Sequence, residues 1–329
     1  MLKLILNHWR NNRTRKMDIR EATPEDIPAI VEVLKASLGE SDLPLSKDIW
    51  NFKHVHNPFG KSIVLVAVEG NNLAGVRAFM RWQWQKADRT YSCYRAVDTA
   101  THPKYQGKGI FKKLTLKAVE LAKEEGGDFI FNTPNEMSRP GYFKMGWEEA
   151  GKLDVAISFH FFSFLKLWNS GIDYKITYKT SVDTIEALCQ NWNKNFENES
   201  LYTAKSAGYL HWRYEKNPLQ QYEVLATSDF YLAGYIKKRQ KLKELRIVEC
   251  IKKSRKADKE IKASIGKWAS KFGAQFISYS PGITDCKLFS VKGKFGPLAT
   301  VRNLNLKESE KDVLNVDKWQ YSLGDLELF

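Results

Sequence analysis

The side chains best suited to chemistry in this chain lie between Val97 and Trp147. Asp98 sits in the apolar run A-V-D-T-A, where a carboxylate can hold or take a proton. The turn Gln106-Gly107-Lys108-Gly109 opens an amphipathic stretch that runs to Glu125. Glycine lets backbone approach a ligand closely, and the first N–H groups of a helix attract anions. Gln106 to Phe111 are therefore a candidate cradle for a phosphate group, with Lys108 and Lys112 adding positive charge. Asn135 and, seven residues later, Tyr142 supply an amide and a phenol, and a phenol can return a proton to a leaving group. No Cys or Ser stands in a nucleophile motif, so no covalent enzyme intermediate is expected.

To position these groups the chain must run strand, turn, helix, strand. Ile110, Phe111, Leu114, Ala118, Leu121 and Ala122 fall on one helical face, with Lys112, Lys113, Lys117 and Glu120 on the other. Gly126-Gly127 ends that helix, and residues 128–133 read as the strand that follows. Upstream, Met17 begins a first strand, and Thr23-Pro24-Glu25-Asp26 is a helix start with a hydroxyl cap, a proline and first-turn acids. Residues 63–68 and 73–80 flank the turn E-G-N-N and predict a hairpin. A later strand is expected over 152–160.

Taken together, V-D-T-A-T-H-P-K-Y-Q-G-K-G-I-F from Val97, Asn135, and Y-F-K-M-G-W from Tyr142 resemble the GNAT superfamily of CoA-dependent N-acyltransferases. The resemblance implies acetyl-CoA as cosubstrate, with its pyrophosphate on Gln106, Gly107, Lys108, Gly109, Ile110, Phe111 and Lys112. It implies that Thr99, Ala100 and Thr101 offer backbone groups to the pantetheine arm, and that Asn135 also contacts that arm. It further implies Asp98 as the base, acting directly or through one water, and Tyr142 as the acid that protonates the departing thiolate. The family pattern Q/R-x-x-G-x-G/A ends in a small residue, whereas this chain has Phe111 there.

The second half repeats the first in order. Trp50 has a counterpart in Trp212, L-A-G-V at Leu73 in L-A-G-Y at Leu232, and Val97-Asp98 in Val248-Glu249. Phe129-Ile130 with Pro134 matches Phe276-Ile277 with Pro281, and Tyr142 with Gly146 falls on Phe289 with Gly293. Where the first copy has its glycine turn, the second has Lys253-Ser254-Arg255-Lys256, and its phenol position is a phenylalanine. The expected fold is α/β: two tandem GNAT-like mixed-sheet domains packed together, the second without the chemistry. The expected division is a basic leader 1–16, a catalytic domain 17–162, a linker 163–175 and a degenerate domain 176–329.

The chain has 329 residues, 43% hydrophobic, and a formal net charge of +14. That composition suits folded domains and excludes global disorder. The charge is concentrated in residues 1–16 and 237–271, and reads as a solvated lysine-rich face. Nucleic acid is not expected as a partner, and no apolar run is long enough to span a membrane. Four scattered cysteines (Cys93, Cys189, Cys250, Cys286) suggest neither zinc nor disulfides and favour a cytoplasmic setting. His54, His56 and His102 do not make a metal site by spacing, so no metal is expected. Trp82, Trp84, Tyr91 and Tyr94 read as cross-strand packing or the wall of an acceptor pocket. The expected acceptor is a small-molecule or peptide amine, for example an amino sugar. Two rivals carry different functions: a FemX-like aminoacyl-tRNA-dependent peptidyltransferase, and a non-catalytic binding protein with a vestigial CoA site.

Overall fold

The computed structural model of the protein describes residues 17–38, 46–160, 171–195, 200–240, 242–282 and 289–326. The expected leader 1–16 and most of the expected linker 163–175 lie outside them. The chain forms two compact units. One takes in the described parts of Met1–His56 with Gly60–Arg81 and Arg95–Gly126; the other takes in Asn57–Phe59, Trp82–Tyr94 and the described parts of Gly127–Phe329.

In the first unit, β1 (Asp18–Glu21), β2 (Ile63–Glu69), and parts of β3 (Asn72–Lys86) and β4 (Arg89–Thr101) lie side by side in that order. Helices α1 (Ile27–Leu38), α2 (Lys47–His54) and α3 (Ile110–Glu124) belong to it. The expected start at Thr23 is a short 3-10 turn over Pro24–Asp26, in which the Thr23 N–H donates to Asp26 Oδ2 at 2.8 Å. α3 buries Ile110, Leu114, Ala118 and Ala122, the face the sequence period picks out. Burying a side chain of Leu or Ile size is worth about 1.5–3 kcal/mol. The helix comes this close to the sheet because Gly75 has no side chain: a Cβ there would stand 2.9 Å from Ile110 and 3.1 Å from the Ala100 carbonyl.

The second unit holds the remaining parts of β3 and β4, and β5 (Phe129–Asn132), α4 (Arg139–Lys144), β6 (Glu148–Lys152) and β7 (Val155–Phe159) follow. Next come β8 (Ile176–Tyr178), α5 (Val182–Lys194), β9 (Leu201–Tyr202) and α6 (Ala207–Leu210), the last running into a π turn over His211–Glu215. β10 (Glu223–Ala226), β11 (Phe230–Arg239), β12 (Leu242–Lys252), α7 (Asp258–Phe272) and β13 (Phe276–Tyr279) repeat the order of β2, β3, β4, α3 and β5. β14 (Val291–Gly293), β15 (Leu298–Asn303), β16 (Trp319–Gln320) and α8 (Leu323–Leu326) close the chain's described part. Trp82, Trp84, Tyr91 and Tyr94 are buried, so this cluster is packing. The Trp82 indole N–H donates to Thr203 Oγ1 at 3.0 Å.

The two sheets exchange strands. β15, from the second repeat, lies antiparallel between β5 and β6 of the first repeat. β7, only two residues after β6, instead pairs antiparallel with β13 and β14 of the second sheet. At the crossing the Leu153 N–H donates to the Pro297 carbonyl at 3.1 Å, and the Gly296 N–H to the Leu153 carbonyl at 3.0 Å. A Cβ on Gly296 would stand 2.8 Å from the Leu153 Cβ, so only glycine fits.

A fragment of residues 17–160 would therefore leave β5 with an open edge and β7 with no partner, and exposed strand edges invite pairing between chains. Size-exclusion chromatography with light scattering should find that fragment insoluble or self-associated. A soluble, cooperatively unfolding monomer would show that the exchange is dispensable.

Candidate functional site

The predicted cradle is an exposed turn. His102 caps a 3-10 turn over Pro103–Tyr105, its Nδ1 accepting the Lys104 N–H at 3.2 Å. Gln106, Gly107, Lys108 and Gly109 are exposed and Ile110 is buried. Gly107 has φ +77° and Gly109, at the start of α3, has φ +71°, a region that favours glycine. A Cβ at either would meet no protein atom within 4 Å, so the space over the turn is open. The first turn of α3 holds no acid, whereas that of α7 holds Asp258 and Glu260. A helix start favours anions, and acids there oppose them. The Gln106 amide donates to the Thr101 carbonyl at 3.4 Å, and Thr99 Oγ1 to the Val76 carbonyl at 3.4 Å. Lys108 stands 3.9 Å from Glu69 and over the Tyr105 ring. Lys112 is exposed. Phe111 fits where a small residue was expected because its ring faces the buried Arg77 guanidinium at 5.8 Å, which also lies over Phe79 at 4.8 Å.

Ala100, on the same strand as Asp98, is buried, while Thr99 and Thr101 are half-buried. Asp98 itself has φ +38°, uncommon for a residue with a side chain, so the strand is locally diverted there. Its carboxylate pairs with Lys53 Nζ and accepts from His54 Nε2 at 2.8 Å. Burial opposes ionisation, but Lys53 first and then His54 outweigh it and hold the Asp98 carboxyl far below the usual carboxylate range. An ionised carboxylate only accepts, so the His54 proton resides on Nε2. The ring's Nδ1 is then the acceptor for the half-buried Ser62 hydroxyl at 2.8 Å. Desolvation lowers the His54 pKa more than the Asp98 carboxylate raises it, so the buried ring is neutral. In the sequence Asp98 stands out, and His54 does so only among three histidines open to a metal or catalytic reading; Lys53 and Ser62 do not. The only hint was K-H at the end of an amphipathic helix.

In the second unit, Asn135 is exposed, and its Oδ1 accepts from both the Ser138 N–H and hydroxyl at 2.8 Å. It thus caps the turn into α4, where Pro140 sits near the start of a six-residue helix. Tyr142 is buried, with its ring 5.1 Å from that of Trp147. Gly146, with φ +85°, reverses the chain so that the Trp147 N–H donates back to the Tyr142 carbonyl at 3.1 Å. A Cβ on Gly146 would collide with the Arg302 guanidinium, which lies 5.2 Å from the centre of the Trp147 ring. Asn132, unremarked in the sequence, is buried and accepts from Thr300 Oγ1 at 2.7 Å.

Residues 18–150 match the family model described as an acetyltransferase (GNAT) domain. Among solved structures, a probable N-acyltransferase of unknown function from Enterococcus faecalis superimposes with a TM-score of 0.64 at 10% identity, covering 88% of this chain and 73% of that one. A GCN5-related N-acetyltransferase from Anabaena variabilis gives 0.64 at 13% identity, with the same coverage. Eis1 from Mycobacterium abscessus gives 0.53 at 11% identity, covering 88% and 74%. At these identities the structures speak for the fold alone. No curated protein sequence matches the chain. Residues 18–150 are thus a GNAT acetyltransferase domain, and a second mixed sheet follows. No described helix is long and apolar enough to cross a membrane.

The His54 pKa, depressed by burial, makes a pH prediction. A lowered folded pKa adds stability that is present above the unfolded value of about 6.5 and is lost as pH falls below it. Asp98 loses its contribution only below about 4, so the two windows are separate. His160, lowered by burial, titrates in the His54 window. Melting temperature should fall between about pH 7 and pH 5, and less so in His54→Gln. Identical pH profiles for the two proteins would show that His54 is not held neutral.

Proposed function

We propose that the protein moves the acetyl group of acetyl-CoA to a primary amine by direct attack in a ternary complex. The observation that carries this reading is the exposed turn of Gly107 and Gly109, with positive φ and open space above it, at an acid-free helix start. The residues fit a diphosphate: backbone N–H groups and Lys108 and Lys112 would hold it, and no carboxylate stands in the first turn. Acetyl-CoA supplies an activated acetyl thioester. Thr99, Ala100 and Thr101 would offer backbone groups to the pantetheine arm, and Asn135, whose Oδ1 is taken by its cap, would have only its amide N–H groups to give.

The acceptor amine must lose a proton to attack. Asp98 is too strongly held as an anion to take it readily. In this reading Asp98 orients His54 and balances its charge, while the Ser62 hydroxyl takes the amine's proton as it passes its own to His54 Nδ1. Tyr142 donates its phenolic proton to the departing thiolate. Of the rival readings, the tRNA-dependent one draws on the basic 237–271 segment. Several of those charges are already consumed: Lys252 pairs with Asp258, Lys271 with Glu223, and Arg239 and Arg246 with Glu244. That favours the solvated, structural reading of the segment.

Thiol release with a panel of primary amines, including amino sugars and peptides, tests the activity; silence across the panel despite tight acetyl-CoA binding would favour a binding protein. Gly109→Val forces a branched residue into a left-handed conformation and fills the cradle, so calorimetry should show acetyl-CoA affinity reduced about tenfold or more, a loss of roughly 1.4 kcal/mol. The new Cβ touches nothing in the free protein, so the cost to the fold is the left-handed strain alone, about 1–2 kcal/mol. Unchanged affinity would place the cofactor elsewhere. Tyr142→Phe should lower kcat on the order of 100-fold with acetyl-CoA affinity retained; unaltered turnover would remove the phenol from the mechanism.

A further inference from the structure

Within the second unit, one face of the second sheet borders a cavity of about 880 Å³. This lies inside the roughly 300–1,000 Å³ usual for small-molecule sites. None of the residues implicated in acetyl transfer lines it. Val155 and Ile157 of β7 and Phe276 of β13 give one wall an apolar surface. Beside them in the same sheet the hairpin of β11 and β12 contributes Lys237, Arg239, Glu244 and Arg246.

Both oxygens of the buried Glu244 carboxylate are engaged. Oε1 accepts from Arg246 Nε at 3.1 Å and Nη2 at 3.0 Å and from the Ser278 hydroxyl at 2.6 Å; Oε2 accepts from Arg239 Nε at 2.5 Å. Chiefly Arg246, then Ser278 and Arg239, overcome burial and hold this carboxyl below its ordinary value. Two guanidiniums against one carboxylate leave an excess of one positive charge. Lys237 adds a second, and its ammonium makes no hydrogen bond or ion pair among the described residues. Burial, then Arg246 and Arg239, depress the Lys237 pKa more than the Glu244 carboxylate raises it. A polyamine would be repelled from such a site, and a neutral apolar molecule would leave the excess charge uncompensated.

We propose that this cavity binds an anionic amphiphile, with a carboxylate head against Lys237 and Arg239 and an aliphatic body along Val155, Ile157 and Phe276. Planar guanidinium and ammonium donors suit a carboxylate, and the apolar wall gives the body a dry surface. The proposal is independent of where acetyl transfer occurs.

Titration calorimetry of the full chain with dodecanoate, kept below its micelle-forming concentration, tests it. Saturable one-to-one binding is expected, with 1-dodecanol binding at least about tenfold more weakly and dodecylammonium not at all. Lys237→Glu, a change at an exposed position, should weaken dodecanoate about tenfold while leaving melting temperature and acetyl-CoA affinity as they were. Val155→Trp, which fills the cavity, should abolish binding. Absence of saturable binding to the unmodified chain would overturn the proposal. So would equal affinity for acid and alcohol, or indifference to charge reversal at Lys237.

Discussion

A carboxylate paired with a buried lysine, on the strand that leads into the long helix, is the constraint on which each repeat depends. In the first repeat it is Asp98, paired with Lys53 and bonded to His54. In the second it is Glu249, whose Oε2 meets Lys205 Nζ at 2.9 Å and the Tyr214 hydroxyl at 3.0 Å. Lys205 is wholly buried and is shared with Asp325 at 2.6 Å. A buried charge without its partner costs about 3–5 kcal/mol, so each lysine ties its segment to the central strand whatever the net worth of the pair. Glu249 lies in the repeat that lacks the glycine turn, so the acid at this position has an architectural use apart from any catalytic one. Only in the first repeat is a histidine added, and with it a hydroxyl that could relay a proton.

The parts of this arrangement that repeat locally were legible in the sequence. Helix α3 announces itself by apolar period, and the L-A-G tripeptides fall on β3 and β11, where a Cβ on Gly75 would stand 3.1 Å from the Ala100 carbonyl and one on Gly234 3.0 Å from the Arg246 carbonyl. The glycine turn and the Tyr142 box could be found because their residues are near neighbours. Phe111 looked like a defect and is a packing solution with Arg77, which no local pattern discloses.

What could not be read depends on distant partners. Lys53 and Asp98 are 45 residues apart, and nothing in the run K-H-V-H says which strand the lysine will meet. Asn132 and Thr300 are stranger still as a pair, since they come from different repeats. The exchange of β7 and β15 is invisible because an apolar strand reads alike whichever sheet accepts it. The expected boundary near 163–175 follows the repeat in the sequence, whereas pairing in space crosses it.

That crossing sets an order of events during synthesis. Asn132 and Thr300 lie 168 residues apart, so at ordinary ribosomal speeds β5 waits on the order of ten seconds for the strand that covers its edge. The sheet begun first is therefore the last to close, and the protein must keep an unfinished edge from sticking to other nascent chains throughout that interval.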